Sequence, residues 1–279
     1  MTADNLRYSL WRRFVAVLRL VAIATLTAVI VVTLASGRVM LRGGARRRWR
    51  IWHFRYWSRG VCRLLGGRTT LYGSVPDAPF FLASNHLSYL DILVLAQHLP
   101  CVFVSKAEVA QWPVVGFLTR LADTLYIDRA RRADIPATNE AIKATLQQGD
   151  SIALFPEGTS SAGDRVLPIR APLLQVAASS DIGVNTAAIH YQTAAGDRPA
   201  SHAIAYYGDH VFGPHLWQLL HLRGFTATIK IADTPLHDTD RKQLAIRVGS
   251  QLRELLARIK AHAGDPAYLR SQTNEPLSL

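Results

Sequence analysis

The strongest candidates for catalysis are a histidine and an aspartate five positions apart, His86 and Asp91. The apolar residues 80–83 predict a short strand covered on both faces, and Ser88 predicts the start of a helix. His86 should then lie on the loop at the carboxyl end of the strand, where open α/β sheets place their sites. Asp91, in the first helical turn, could orient the imidazole as a general base. Because Ser88 and Asp91 also have nearly the spacing of a capping box, a purely structural role for Asp91 stays open.

A second candidate is Glu157, which lies in the sequence FPEGTS at residues 155–160. It follows the sequence SIALF at residues 151–155, which predicts another buried strand. Pro156 and Gly158 on either side would hold its carboxylate at a defined place on a tight turn. An ordinary surface turn is the alternative interpretation.

A third candidate is Arg129, which ends a predicted strand at residues 124–129. Its planar guanidinium could pair with an anionic headgroup. A structural ion pair with Asp123 or Asp128 is the alternative interpretation.

Several classes of protein lack their minimal motifs in this sequence. There is no GxSxG, GxxxxGK, GxGxxG or HExxH, which argues against a serine hydrolase, a nucleotide-phosphate site and a zinc protease. The ten histidines do not have ligand spacing, so no metal is expected. Cys62 and Cys101 offer no disulfide framework and fit a reducing compartment.

The basic residues are concentrated at one end of the chain. Residues 1–75 hold 14 Arg and a single acid, Asp4, whereas the rest of the chain, with 18 basic and 19 acidic residues, is nearly neutral. A nucleic-acid-binding protein would normally carry its basic residues on the folded domain. Here they flank a long apolar segment, so we expect a membrane partner and no nucleic acid.

The apolar residues 20–35, extended backward by residues 14–18, predict a helix long enough to cross a bilayer, with Arg19 reaching the headgroups. A buried core helix and a signal peptide are the alternatives. Ten Arg and no acid follow in residues 38–68, and such a flank stays on the cytoplasmic side. The catalytic domain should therefore face the cytoplasm at the inner membrane.

Residues 46–65 predict a second, interfacial helix. Four arginines (Arg48, Arg55, Arg59 and Arg63) share one sector of the helical wheel, and three of the six tryptophans lie between Trp49 and Trp57. Aromatic residues of this kind are typical of headgroup depth. A solvated basic face would explain the arginines but not the tryptophans.

Strands alternate with helices along the rest of the chain, which predicts an α/β fold with a mixed sheet flanked by helices. We expect membrane-anchoring helices in residues 1–66, a catalytic domain in 67–264 and a polar tail in 265–279. Further strands are predicted at 69–73, 102–106, 184–191, 202–207 and 226–232, and further helices at 135–148, around 173–178 and at 239–262.

Taken together, these motifs resemble those of the glycerolipid acyltransferase family, whose familiar member is 1-acyl-glycerol-3-phosphate acyltransferase. The resemblance rests on HLSYLD at residues 86–91, the segment through LYIDR at 125–129 and LFPEGTSS at 154–161, in this order after an apolar segment. It extends from about residue 73 to residue 191.

The resemblance implies that His86 is the general base and that Asp91 orients it, while Arg129, Glu157 and Gly158 belong to the acceptor site. It also implies no metal, no cofactor and no acyl-enzyme. The co-substrate would be the thioester of acyl carrier protein or coenzyme A, and the acceptor a membrane lysolipid. The absence of a serine or cysteine nucleophile beside the dyad agrees with direct attack by the acceptor's hydroxyl.

Two departures from the family pattern concern the acceptor. Ser160 stands where the family's common FPEGTRS has a phosphate-binding arginine, and residues 186–189 read TAAI where the family has VPVA. Losing one guanidinium contact removes about 1.5–3 kcal/mol of phosphate binding. We therefore favour lyso-ornithine lipid, which carries a carboxylate, as the acceptor, and keep lysophosphatidic acid as the alternative.

A membrane-surface thioesterase and a non-enzymatic membrane or nucleic-acid tether are the rival interpretations. The first leaves Arg129 and Glu157 without a role, and the second uses only the arginine-rich segment.

Overall fold

The computed structural model describes residues 3–112, 114–127, 134–180 and 182–263, and the side chains of these residues from residue 10 onward except those of residues 134 and 135. Two long helices precede the sheet: α1 (Ala3–Met40) and α2 (Gly43–Leu64). They pack against each other as a hairpin. Two tryptophans of α2 donate their indole N–H groups to α1: Trp57 to Thr27 Oγ1 and Trp49 to Thr33 O, each at 3.0 Å. Two of the three tryptophans of α2 thus bond to α1, while Trp52 is 51% exposed.

Helix α1 is long and apolar enough to cross a membrane. Residues 10–40 include an 18-residue window with a mean hydropathy of 2.6, and only 6% of that window is buried against the rest of the protein. Its buried residues include Ala16, Ile30 and Leu34, which face the protein, whereas most other apolar side chains of the helix are exposed.

Seven strands form one mixed sheet in the order β1-β7-β6-β2-β5-β3-β4. All neighbouring strands are parallel except β6 and β7, which are antiparallel. This arrangement confirms the predicted α/β fold with a mixed sheet. The strands are β1 (Gly67–Tyr72), β2 (Phe81–Ser84), β3 (Cys101–Lys106), β4 (Leu125–Ile127), β5 (Ser151–Leu154), β6 (Val184–Thr193) and β7 (Phe225–Ile231).

Helices and short 3-10 turns cover both faces of the sheet. The remaining helices are α3 (Leu90–Ala96), α4 (Val115–Leu121), α5 (Asp134–Gln147), α6 (Gln175–Ser179), α7 (Ala200–Ala203), α8 (Phe212–Leu220) and α9 (Arg241–His262), with 3-10 turns at Ala107–Gln111 and Ala171–Leu174.

Successive side chains of a strand point to opposite faces of the sheet, so the core consists of two clusters. Leu82 points into the cluster that contains residues of α2, α3 and α8, and its neighbour Phe81 points into the cluster that contains residues of α5 and α9. Both side chains are fully buried. Because β2 and β5 are both buried and pair in parallel, their carboxyl ends meet at one edge of the sheet. The loops that follow these two strands therefore lie side by side.

One predicted strand is wrong. Residues 202–207 do not form a strand: Ala200–Ala203 is a short helix, and residues 204–207 follow it without regular structure. Ala203, Ile204 and Ala205 are fully buried nonetheless. The apolar sequence thus predicts that the segment is buried, but in so short a segment periodicity does not distinguish a buried strand from another buried conformation. The helix Phe212–Leu220 was not predicted, α3 begins two residues later than expected, and residues 264–279, including the expected tail, lie outside the described residues.

Candidate active site

His86 and Asp91 are in direct contact. Nδ1 of His86 lies 2.7 Å from Oδ2 of Asp91, with the histidine on the loop after β2 and the aspartate in the first turn of α3. A carboxylate at this distance fixes the proton on Nδ1, so that Nε2 is the basic nitrogen. Asp91 is fully buried, whereas the histidine side chain is 22% exposed. The acidic partner is thus inside the protein and the base reaches the surface.

The carboxylate of Asp91 also holds the backbone of the loop. Oδ2 accepts the backbone N–H of Leu87 at 2.7 Å and that of Ser88 at 2.9 Å. On its other oxygen, Oδ1, it accepts the hydroxyl of Tyr191 at 2.8 Å. Asp91 therefore has both roles that the sequence left open: it binds loop amides as a cap would, and it also contacts the histidine.

Phe155 sets the plane of the His86 ring. The two rings are stacked, with centroids 4.1 Å apart and an interplanar angle of 13°. Stacking on one face and the Asp91 contact on one edge leave the ring little rotational freedom. Among the described residues, no hydrogen bond occupies Nε2, so this atom is available to a substrate proton.

Glu157 supports the same loop from the neighbouring strand. Its Oε1 accepts the backbone N–H of His86 and its Oε2 that of Leu167, each at 2.8 Å. Glu157 is only 2% exposed. Burial raises the pKa of Glu157 to about 7, and the charge of Asp91 acts in the same direction, while the two backbone bonds lower it. Its carboxylate thus braces the histidine loop.

The turn around Glu157 requires its glycine. Gly158 has φ +78°, in the left-handed region that side chains rarely adopt, and its N–H donates to Phe155 O at 3.2 Å. Beyond it, the backbone N–H of Ser161 donates to His86 O at 2.9 Å. The predicted tight turn is present, and it is bonded to the histidine loop at two points.

A third loop joins the first two. The N–H of Tyr206 donates to Leu87 O at 2.8 Å, and the hydroxyl of Ser160 donates to Tyr206 O. This loop contains residues 204–207 of the segment wrongly predicted as a strand. Loops 85–89, 155–161 and 204–207 therefore converge around the histidine.

The structure brings together four of the five predicted site residues: His86, Asp91, Glu157 and Gly158. Arg129 lies outside the described residues. Tyr191 was missed, because it lies in a predicted strand 100 residues from its partner and no local spacing marks it. Within the described part of the chain, no three His, Cys, Asp or Glu side chains are grouped closely enough to hold a metal ion.

Comparisons with known proteins place these motifs in a family. Residues 68–190 match the family described as Acyltransferase. The lyso-ornithine lipid O-acyltransferase of Rhizobium meliloti is 31% identical over 221 residues, which cover 75% of this chain and 76% of that protein. This chain belongs to the acyltransferase family.

Two further relatives carry two different names. The 1-acyl-sn-glycerol-3-phosphate acyltransferase of Neisseria meningitidis is 31% identical to our acyltransferase over 71% of this chain and 78% of that protein. The lyso-ornithine lipid O-acyltransferase of Brucella abortus is 32% identical over 72% of this chain and 80% of that protein. Sequence similarity thus links the acyltransferase to both kinds of enzyme at the same level.

The fold agrees with this family. The crystal structure of the 1-acyl-sn-glycerophosphate acyltransferase from Thermotoga maritima superimposes with a TM-score of 0.66 at 20% identity, and the match covers 90% of this chain and 98% of that one. At this identity the likeness concerns the fold alone.

Proposed function

We propose that this acyltransferase moves a fatty acyl group from the thioester of acyl carrier protein or coenzyme A to the hydroxyl of a membrane lysolipid. The observation that carries the proposal is the dyad: a buried aspartate holds Nδ1 of a partly exposed histidine at 2.7 Å. The names of the relatives from Rhizobium, Brucella and Neisseria support a lysolipid as the acceptor.

In the proposed reaction, Nε2 of His86 takes the proton of the acceptor's hydroxyl as its oxygen attacks the thioester carbonyl. The carbon–oxygen bond forms, the carbon–sulfur bond breaks, and the thiolate leaves with the proton from the imidazolium. Asp91 stabilises the imidazolium between these two steps, because its carboxylate stays 2.7 Å from Nδ1. No acyl-enzyme forms, since the acceptor's oxygen is the only nucleophile.

Glu157 and Gly158 contribute by position. The Glu157 carboxylate holds the backbone N–H of His86, and Gly158 permits the turn that brings it there. Both lie at the loop where the family resemblance places the acceptor. Arg129 remains the proposed partner for the acceptor's anionic group.

For the acceptor we favour lyso-ornithine lipid, with lysophosphatidic acid as the alternative. This preference follows from Ser160, whose hydroxyl donates to the carbonyl of Tyr206 where the common family pattern has a guanidinium for phosphate. A carboxylate needs fewer donors than a phosphomonoester, which carries more charge and three acceptor oxygens.

The test is kcat/KM for both acceptors with one acyl donor, using wild type and Ser160→Arg. We expect wild type to prefer lyso-ornithine lipid, and Ser160→Arg to shift the ratio toward lysophosphatidic acid by about tenfold to a hundredfold, the size of one charge-assisted contact. Thr159→Arg is the matched control, since it adds the same charge at the exposed neighbouring position. A wild-type preference of tenfold or more for lysophosphatidic acid would establish the alternative acceptor.

We also propose that the protein is attached to the cytoplasmic face of the inner membrane, with α1 lying along the bilayer surface. Near one end of α1, Arg12 pairs with Asp197 at 3.1 Å; near the other, Arg38 pairs with Asp123 at 3.6 Å. These contacts are about 39 Å apart along the helix, at 1.5 Å per residue. Because the catalytic domain contacts α1 near both of its ends, α1 could not cross the bilayer without drawing the domain into the lipid. These contacts therefore disfavour a transmembrane α1. Its exposed apolar side would enter the lipid instead.

A further inference from the structure

A cleft of about 320 Å³ lies between α1 and the chain segment that connects α8 to β7. The α1 side is formed by residues 11–19, and the other side by residues 220–223. Its apolar walls include Val15 and Leu222. The residues that contact His86 and Asp91 are not among its lining, so it is distinct from the proposed catalytic site.

The lining of this cleft is strongly basic. It contains the guanidinium groups of Arg12, Arg19 and Arg223 and the imidazole of His221. Among the lining residues that the structure describes, none is acidic. Asp197, which pairs with Arg12 at 3.1 Å, compensates one of these three charges, and the remaining positive charge favours an anion with several acceptor oxygens.

Contacts with the protein hold the arginines in place. Nη1 of Arg19 donates to Leu220 O at 3.0 Å and to Leu222 O at 2.6 Å, at the carboxyl end of α8. Nη1 of Arg223 donates to Ala195 O at 3.2 Å, and the carboxylate of Asp197 accepts Nη2 of Arg12 at 3.1 Å and the backbone N–H of Arg223 at 2.6 Å. The charges are therefore pre-organised, which lowers the entropic cost of binding an anion.

The cleft borders the apolar surface of α1. Trp11, which lines the cleft, is 62% exposed, and Phe14 and Leu18 on the same helix are 53% and 52% exposed. Aromatic and aliphatic side chains next to arginines are the arrangement found at the depth of lipid headgroups. A ligand entering from this side would be a lipid whose acyl chains remain in the bilayer.

We propose that this cleft binds the phosphate of an anionic phospholipid of the bilayer, a lipid that is neither acceptor nor product of the reaction. The inference rests on the proposed attachment of α1 to the membrane. The bound lipid fixes the depth and rotation of α1, and with them the orientation of the catalytic domain relative to the bilayer.

The test uses full-length protein and flotation with two kinds of vesicle, phosphatidylcholine alone and phosphatidylcholine containing phosphatidylglycerol, at about 0.1 M and 0.5 M salt. The variants are Arg12→Gln and Arg223→Gln. The matched control is Arg13→Gln, which removes one charge from the adjacent, exposed position of α1 that does not line the cleft. Arg223 is on the exposed side of the cleft, so its variant keeps the test valid even where Arg12→Gln disturbs the packing of α1.

Binding to phosphatidylglycerol vesicles should weaken about tenfold in either cleft variant, the size of one charge-assisted contact, and this loss should persist at 0.5 M salt. Arg13→Gln should lose about fivefold at low salt through general attraction and less than about twofold at high salt, where screening is strong. Inorganic phosphate at constant ionic strength should reduce wild-type binding to the level of the cleft variants, which identifies the phosphate as the recognised group. Binding to vesicles of phosphatidylcholine alone should be the same for the wild type and for all three variants.

Equal losses for Arg13→Gln and the cleft variants at both salt concentrations would overturn the proposal, and so would the absence of any loss in Arg223→Gln. A result in which free phosphate competes but phosphatidylglycerol does not improve binding would assign the cleft to a soluble anion and also overturn it. Acyl transfer in detergent micelles is assayed separately with the same variants. An inactive wild type would contradict the proposed function while leaving the vesicle result interpretable.

Discussion

The histidine loop and the α1–α2 hairpin both depend on charged side chains, but they use them in opposite ways. In the loop, buried carboxylates accept backbone N–H groups: Asp91 is fully buried and Glu157 is 2% exposed. In the hairpin, arginines at the edge of the domain donate to carbonyls and carboxylates, and the Arg38 side chain is 47% exposed. Several buried contacts that converge on one loop fix the position of one atom. The arginine contacts of the hairpin are spread along two helices, with side chains from 12% exposed at Arg50 to 47% at Arg38, and they fix only its general placement.

Single substitutions should therefore act on the two regions on different scales. One change at the dyad removes a chemical step, because no neighbouring group can replace the basic nitrogen. One change on α1 removes a fraction of an interaction that many residues share.

The largest effect is expected at the base. His86→Ala should lower kcat by about 10²–10⁴-fold with little change in folding or membrane attachment, since general-base catalysis contributes that much. Asp91→Asn should cost somewhat less, because the imidazole remains but loses its anionic partner. Acyl transfer by purified protein measures both, and circular dichroism checks the fold. Activity of His86→Ala within threefold of wild type would refute the base mechanism.

An intermediate effect is expected on α1. The double substitution Phe14→Glu with Leu18→Glu should reduce binding to neutral vesicles by more than about tenfold, because burial of each large apolar side chain contributes about 1.5–3 kcal/mol. Both residues are exposed in the absence of lipid, so the fold should persist. The control is Ile246→Glu, at an apolar residue of α9 that is 60% exposed. If all three proteins bind vesicles equally, α1 is not inserted.

The smallest effect is expected from Tyr191, a positioning residue. Tyr191→Phe removes one of the hydrogen bonds to Asp91, so kcat should fall by about three- to tenfold, as expected for a single hydrogen bond of about 0.5–1.5 kcal/mol, with KM unchanged. Tyr72→Phe, at a buried tyrosine of β1, is the control and should leave kcat unchanged. A change in KM alone would show that Tyr191 acts on binding and does not position Asp91.

The dyad could be predicted from sequence because its partners are five residues apart and local geometry brings them together. Tyr191 could not, since β6 must pair beside β2 before its hydroxyl reaches Asp91. The prediction of a strand at residues 202–207 is wrong for a related reason. Ile204 is buried in the folded protein, but its segment does not join the sheet.

The same limit applies to α1. The length and hydropathy of α1 could be predicted from the sequence, and both predict affinity for lipid. The contacts of Arg12 with Asp197 and of Arg19 with Leu220 join residues about 200 positions apart, so the sequence alone predicts a helix long enough to cross and does not show the contacts that favour surface attachment. Only tertiary structure shows that the helix follows the domain.

Direct transfer of the acyl group to a lipid hydroxyl is tested by following both products of the reaction at once. Purified wild type is mixed with an acyl thioester, with and without lysolipid, and free thiol and diacylated lipid are measured together. We expect thiol release to require the lysolipid and to equal the amount of lipid product, since the acceptor supplies the only nucleophile. Thiol release at the same rate without lysolipid, and without new lipid, would show hydrolysis by water and contradict direct transfer to the lipid.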